Sequence, residues 1–224
     1  MVRYYYSLDF NGNSERMVTT IDADRQAMSS TTWSGWVKPN GTSGWQVIFG
    51  MEDGGWDRVL LLEPGSLNVS MGHTSNRWQT GVSLENNVWQ HVVSIYDDGG
   101  MRFYLNGVEH TTGTDEGNHS SAGKFTIGGN QNNASNLYAG RVDEVAVWNK
   151  ALTATEITAL YNSGSPLLAS SNSGAYTSSD NLVGYYTMNS NDGSGTSVTD
   201  DSGNSETATI TDWVNLVNRC CCYH

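Results

Sequence analysis

The body of this 224-residue chain has no cysteine, since all three, Cys220, Cys221 and Cys222, stand in a row just before Tyr223 and His224. No disulfide framework can therefore staple the fold, and packing must hold it. Residues 218–224 are a tail whose thiols and His224 could take a soft metal or cross-link copies, and it is expected to be loose, as termini generally are. Cations are scarce as well: 11 Lys and Arg face 23 Asp and Glu, for a net charge of −12. Such a balance repels a phosphate backbone, so no nucleic acid is expected as a partner. Long apolar runs are missing; none approaches the roughly 18 residues that a spanning helix needs, and no membrane insertion is expected. Met1 runs straight into "VRYYYSLDF" without the basic and apolar regions of a secretory leader, so synthesis in the cytoplasm is expected.

Signatures of chemistry are also few. The histidines, at 73, 91, 110, 119 and 224, show no HExxH or related spacing, which leaves zinc chemistry without ligands in register. No nucleophile elbow and no phosphate-binding glycine loop occurs. The acidic clusters "MEDGGWD", "YDDGG", "TDEGN", "VDEV" and "TDDSGN" fall nearly all at Gly turns, where Asp caps the backbone and needs no further role.

What the chain does have is turn residues and large aromatics: 25 Gly, eight Trp and eleven Tyr in a sequence only 37% hydrophobic. Its length suits one all-β domain with extras. Strand signals recur about every ten residues from Tyr4 to Trp148, separated by Gly and Asn pairs, the rhythm of a sandwich or jelly roll. In "TTWSGWVKPN" the alternation puts Trp33 and Trp36 on opposite faces. In "VWQHVVSIYDDGG" Trp89, His91, Val93 and Ile95 share a face, so His91 is expected to be buried. "MRFYLNGVEH" predicts a hairpin, with Met101, Phe103 and Leu105 on one face and Asn106-Gly107 as a type I′ turn. After "GRVDEVAVWN" the period changes. Thr153 and Glu156 of "ALTATEITALYNSG" form a capping box, and Ile157, Leu160 and Tyr161 share one side, which predicts a short helix near 153–162 closed by Gly164. Residues 165–181 are Ser-rich and read as an extended connector.

The pieces "SLDFNG" (7–12), "SGWVKPN" (34–40), "IFG" (48–50), "VWQHVVSIYD" (88–97), "FYLNGV" (103–108), "FTIGGN" (125–130) and "GRVDEVAVWNKALTATEITALYNSG" (140–164) together resemble the laminin-G-like, concanavalin A-like jelly-roll domains, in that family's order. The resemblance implies an all-β antiparallel β-sandwich jelly roll. It covers 1–164, followed by the connector 165–181, C-terminal strands over 182–217 and the tail 218–224. In this family a segment similar to "LVGYYTMNSNDGSGTSVTDDSGN" (182–204) commonly precedes the "LDF" strand, whereas here it follows the helix. Either it folds back as the missing strand of its own sandwich, a permuted order, or it opens a second, truncated repeat. The fold-back is preferred, because Val183, Tyr185 and "ATITDWV" could fill a sheet edge and sandwich termini often lie close together.

The same arrangement resembles virion-exposed proteins of marine tailed bacteriophages. That resemblance implies a non-enzymatic virion-surface or decoration protein, with other virion proteins and host-surface glycans as partners and a homo-oligomeric state. A stand-alone calcium-dependent lectin-like module, acting extracellularly, is the alternative. The family's glycoside hydrolases carry their carboxylates as Glu-x-Asp-x-x-Glu on one strand; no such run occurs here, and no enzyme is expected. The resemblance further implies one structural Ca²⁺ at the first strand's acidic turn, matched here by Asp9, Asn11, Gly12 and Asp143. Asn11 stands where the family often has Asp, which lowers the local charge. A sugar needs an aromatic platform for its C–H face and planar polar groups for its hydroxyls. Trp45 and Trp56 in Gly-rich loops, and Trp78 beside Asn76 and Arg77, are the candidates, with Trp36 on a sheet face. "MVRYYYSL" is rich in residues that protein interfaces favour, and equally reads as an ordinary first strand.

Overall fold

Period-two alternation becomes a run of short strands in the computed structural model, which describes residues 6–51, 58–72, 77–97, 100–113, 123–131, 135–189, 196–212 and 215–218, with 111, 112 and 215–218 described by backbone alone. First come β1 (Tyr6–Asn11), β2 (Arg16–Thr19), β3 (Thr31–Pro39), β4 (Gln46–Met51), β5 (Val59–Leu62) and β6 (Asn68–Met71). Next are β7 (Trp78–Ser83), β8 (Gln90–Asp97), β9 (Gly100–Leu105), β10 (Val108–Gly113), β11 (Phe125–Ile127) and β12 (Ala139–Trp148), then the helix α1 (Ala154–Tyr161). After it lie β13 (Leu182–Tyr186), β14 (Ser197–Val198), β15 (Ala208–Thr211) and β16 (Asn215–Asn218).

Two sheets face each other, as the resemblance implied. The first runs β10-β9-β8-β3-β12-β1-β16 with β13 also on β12, and the second β14-β15-β2-β11-β4-β5-β6-β7. Every pairing is antiparallel. The β9–β10 hairpin turns at Asn106 (φ 51) and Gly107 (φ 77), the two left-handed positions that a type I′ turn requires. Between the sheets pack Trp33, Phe49, Phe103, Phe125, Val142 and Tyr186. Gly35 makes room there, since a Cβ at that position would lie 2.7 Å from Phe49 Cζ.

The first sheet is buried on its other face too. Val93, Ile95, Tyr104, Ala146 and Trp148 pack against Ile157 and Leu160 of α1 and against Ala169 and Tyr176. A strand covered on both sides reads as nearly continuous apolar sequence, which explains "HVVSIY" in β8. Thr153 Oγ1 accepts from Glu156 N, and Thr153 N donates 2.9 Å back to the Glu156 carboxylate, so the expected capping box is present. The helix stops at Asn162 (φ 44), earlier than Gly164, because Asn tolerates the left-handed cap.

Residues 165–181 are more than a connector. Trp148 Nε1 donates 2.9 Å to Tyr176 Oη, which donates 2.7 Å to the Ala169 carbonyl, strapping the segment over the outer cluster. Ser178 Oγ donates a short hydrogen bond to Glu156, and Lys150 pairs with the same carboxylate at 3.5 Å.

β12 carries the device that lets one strand serve both faces. Its register on β3 slips between Asp143 and Ala146, at Glu144 with φ 51. One inserted residue reverses the side-chain phase: Val142 faces the inter-sheet core before it, and Val145 and Val147 after it. β1 occupies the edge of β12 before the bulge, and β13 the same edge after it.

The strands beyond 181 join both sheets: β13 lies on β12, β15 on β2, and β16 on β1 with Tyr6 opposite Asn218. The "DDSGN" turn satisfies the outer backbone of β13. Tyr185 N donates 2.8 Å to Asp200, Thr187 Oγ1 donates 2.6 Å to Asp201, and Asn204 Nδ2 donates 2.7 Å to the Leu182 carbonyl.

Candidate functional site

On the second sheet the side turned away from the core is a row across four strands, Val47–Leu61–Ser70–Gln79. Val47, Val59 and Leu61 form a small apolar floor, and Trp45, just ahead of β4, packs half-buried on it. Glu63 follows β5 and Arg77 precedes β7, so their side chains meet over the same floor. Arg77 Cζ sits 4.5 Å from the centre of the Trp45 ring, and its Nε is 3.5 Å from Glu63 Oε1. Ser70 Oγ donates 2.7 Å and Gln79 Nε2 donates 2.8 Å to that same oxygen.

Burial alone would raise the Glu63 pKa, but donation from Ser70 and Gln79 and the Arg77 charge outweigh it, and the carboxyl lies below its ordinary value. Glu63 is thus a fixed anion at neutral pH. The Arg77 and Glu63 side chains remain 34% and 13% exposed, so a ligand can reach both. An indole, a guanidinium, a carboxylate and an amide converge here, which is the chemistry that holds a polyhydroxylated ligand: a flat apolar surface with planar hydrogen-bonding groups at its rim.

Of the contact residues expected from the sequence, the structure brings together Trp45 and Arg77. Trp78 belongs to the other side of the sheet: it is paired with Met71 and packs on the edge of the main core, so close to Gly113 that a Cβ there would lie 2.7 Å from Trp78 Cδ2. Trp56 and Asn76 lie outside the described residues, as do the start of "MVRYYYSL" and Cys220–Cys222. Trp36 is buried under Tyr161, with ring centres 5.8 Å apart. Sequence reasoning missed Glu63, Ser70 and Gln79. The signal for them was the alternation Leu61, Glu63 and Arg77, Gln79 across the strand ends, which puts all four on one face.

The residues matched to calcium have other partners. Asp9 Oδ2 accepts from Arg141 Nε at 3.3 Å, Asn11 Oδ1 accepts from Asn13 N at 2.7 Å, and Asn11 Nδ2 donates 2.6 Å to Glu15. Gly12 (φ 77) makes the turn, where a Cβ would lie 3.0 Å from that of Ala139. Asp143 is fully buried two residues beyond Arg141, its Oδ1 accepting from Glu144 N at 2.8 Å. Burial first, and then the charges of Asp9 and Asp212, raise the Glu15 carboxyl above its ordinary pKa despite the donation from Asn11. Among the described residues no group of three or more His, Cys, Asp or Glu is arranged to hold a metal ion.

The model of the family described as the concanavalin A-like lectin/glucanases superfamily, laminin G type, matches residues 11–158, and the chain belongs to that family. A search of curated proteins gave no match. Among solved structures, a proposed carbohydrate binding protein from Bacteroides ovatus superposes with a TM-score of 0.73 at 17% identity, over 99% of this chain and 62% of its own. This chain therefore spans under two thirds of that protein's length. The heptameric SAP-like pentraxin of Limulus polyphemus gives 0.57 at 17% identity, over 72% of this chain and 83% of its own. Domain 4 of a GH43 extracellular arabinanase from Geobacillus stearothermophilus, in complex with arabinotriose, gives 0.54 at 22% identity, over 71% and 81%. At these identities the likeness is one of fold.

Proposed function

We propose that the protein is a non-enzymatic carbohydrate-binding module whose ligand rests on the Trp45–Arg77 stack. The observation that carries this is the convergence of Arg77 over the Trp45 ring with Glu63 at its side, on a sheet face reachable from solvent. The sugar's C–H face packs on the stack while its hydroxyls bond to Glu63, Gln79 and the guanidinium. Membership of a lectin-like family and the fold shared with the Bacteroides ovatus protein and the arabinanase domain support the reading. Glycoside hydrolysis needs two carboxyl groups about 5–9.5 Å apart, one of them protonated. Glu63, held ionised by Ser70, Gln79 and Arg77, is a poor acid.

Trp45→Ala tests the site. Calorimetric titration with oligosaccharides should show at least a tenfold loss of affinity, on the order of 1–3 kcal/mol for a stacking aromatic, with an unchanged circular dichroism spectrum. Full affinity in the variant would remove the patch as the site. The virion-surface role is a separate proposal, resting on resemblance. Its test is stoichiometric binding to phage particles in the absence of sugar.

A further inference from the structure

Resting on the carbohydrate reading, we infer that the patch selects uncharged sugars and rejects uronates and sulfated sugars. Arg77 is the cation at the ring, and its Nε is already turned to Glu63 at 3.5 Å. The terminal N–H groups of the guanidinium are the donors it has left for a ligand. An anionic sugar group taking those donors would stand beside a carboxylate that stays charged, because Ser70, Gln79 and Arg77 all converge on Glu63 Oε1. The chain adds a net charge of −12 to the same repulsion.

A neutral pyranose or furanose meets no such conflict. Each hydroxyl donates and accepts, so of two neighbouring hydroxyls one accepts from Arg77 and the other donates to the second Glu63 oxygen. The apolar C–H face then lies along the exposed edge of the stacked indole and guanidinium. The charge of the Arg77–Glu63 pair cancels locally, so affinity for the neutral ligand depends little on ionic strength.

The experiment titrates the full chain with laminarin, mannan and arabinan as neutral probes, and with polygalacturonate and alginate as acidic ones, in low and high sodium chloride. A neutral probe should bind at least about tenfold more tightly than either acidic one, as expected for a like charge within a few ångströms near a protein surface. Glu63→Gln should narrow that gap by improving the acidic probes, a gain of function that simple misfolding does not produce. Acidic probes that bind as tightly as neutral ones, or more so, while still requiring Trp45, would overturn the selectivity and leave the carbohydrate reading standing. If no probe binds, or if binding is indifferent to Trp45→Ala, the carbohydrate reading itself fails.

Discussion

His91 lies beneath Trp36 and Tyr161, hydrogen-bonded to the Ser34 hydroxyl at 2.7 Å, and burial lowers its pKa from 6.5 to about 3. The folded protein therefore refuses a proton that the unfolded chain accepts. Stability is whole above pH 6.5 and falls as the pH drops toward 3, by at most roughly 5 kcal/mol. Urea unfolding between pH 7 and pH 5 should show this slope, and His91→Gln should flatten it. The burial of His91 was legible because Val93 and Ile95 share its face; its partner Ser34, on another strand and 57 residues away in sequence, was not. Trp45 was legible as an aromatic among glycines. The direction of Trp78 was not, since its neighbours Gln79 and Arg77 are polar on both sides and alternation there names no inner face. Calcium at the β1 turn is a residue-scale proposal as well: titration of metal-free protein should give heat and a higher Tm, and if it gives neither, the site is abandoned.

At the scale of elements, the cap of α1 and the strap over it are the parts most open to test. Thr153→Ala should cost about 1 kcal/mol through the lost cap. Tyr176→Phe should cost about 1–3 kcal/mol, because it strands both the Trp148 indole N–H and the Ala169 carbonyl in a buried site. Thermal unfolding reads both. Burial raises the Glu156 pKa, but donation from Ser178 and Thr153 and the charge of Lys150 prevail and bring it from 4.5 down to about 2. Its stabilisation is complete above pH 4.5 and fades toward pH 2, below the window in which His91 first acts. The hairpin at Asn106-Gly107 and the capping box were legible because each depends on adjacent residues. The bulge at Glu144 was not: with apolar clusters on both faces of β12, a change of phase leaves no polar stripe to mark it. Nor was the strap, since Ala169 and Tyr176 follow no period.

For the whole molecule, the pairing of Tyr6 with Asn218 across β1 and β16, and the bond from Tyr6 N to Asn189 Oδ1 at 2.9 Å, set the two ends of the described chain side by side. A variant that joins Asn218 to Tyr6 through a short turn and opens the chain before Leu182 should fold to the same sandwich, with a Tm within a few degrees of the parent. Removing residues beyond 181 should leave β1, β2 and half of β12 without edge partners and yield aggregated protein. Light scattering on the intact chain tests the expected homo-oligomer separately. The arrangement also bears on how the protein comes off the ribosome. Synthesis runs toward the C-terminus, so β1, β2 and β12 are exposed well before β13, β15 and β16 have been made, and closure of both sheets waits for the last-translated strands. Until then the nascent chain carries open edges on each layer. A stalled or prematurely terminated translation product is therefore the form of this protein most in need of a chaperone, and moving the same strands to the front of the message would let β15 and β16 meet β2 and β1 early, leaving only β13 to wait for β12.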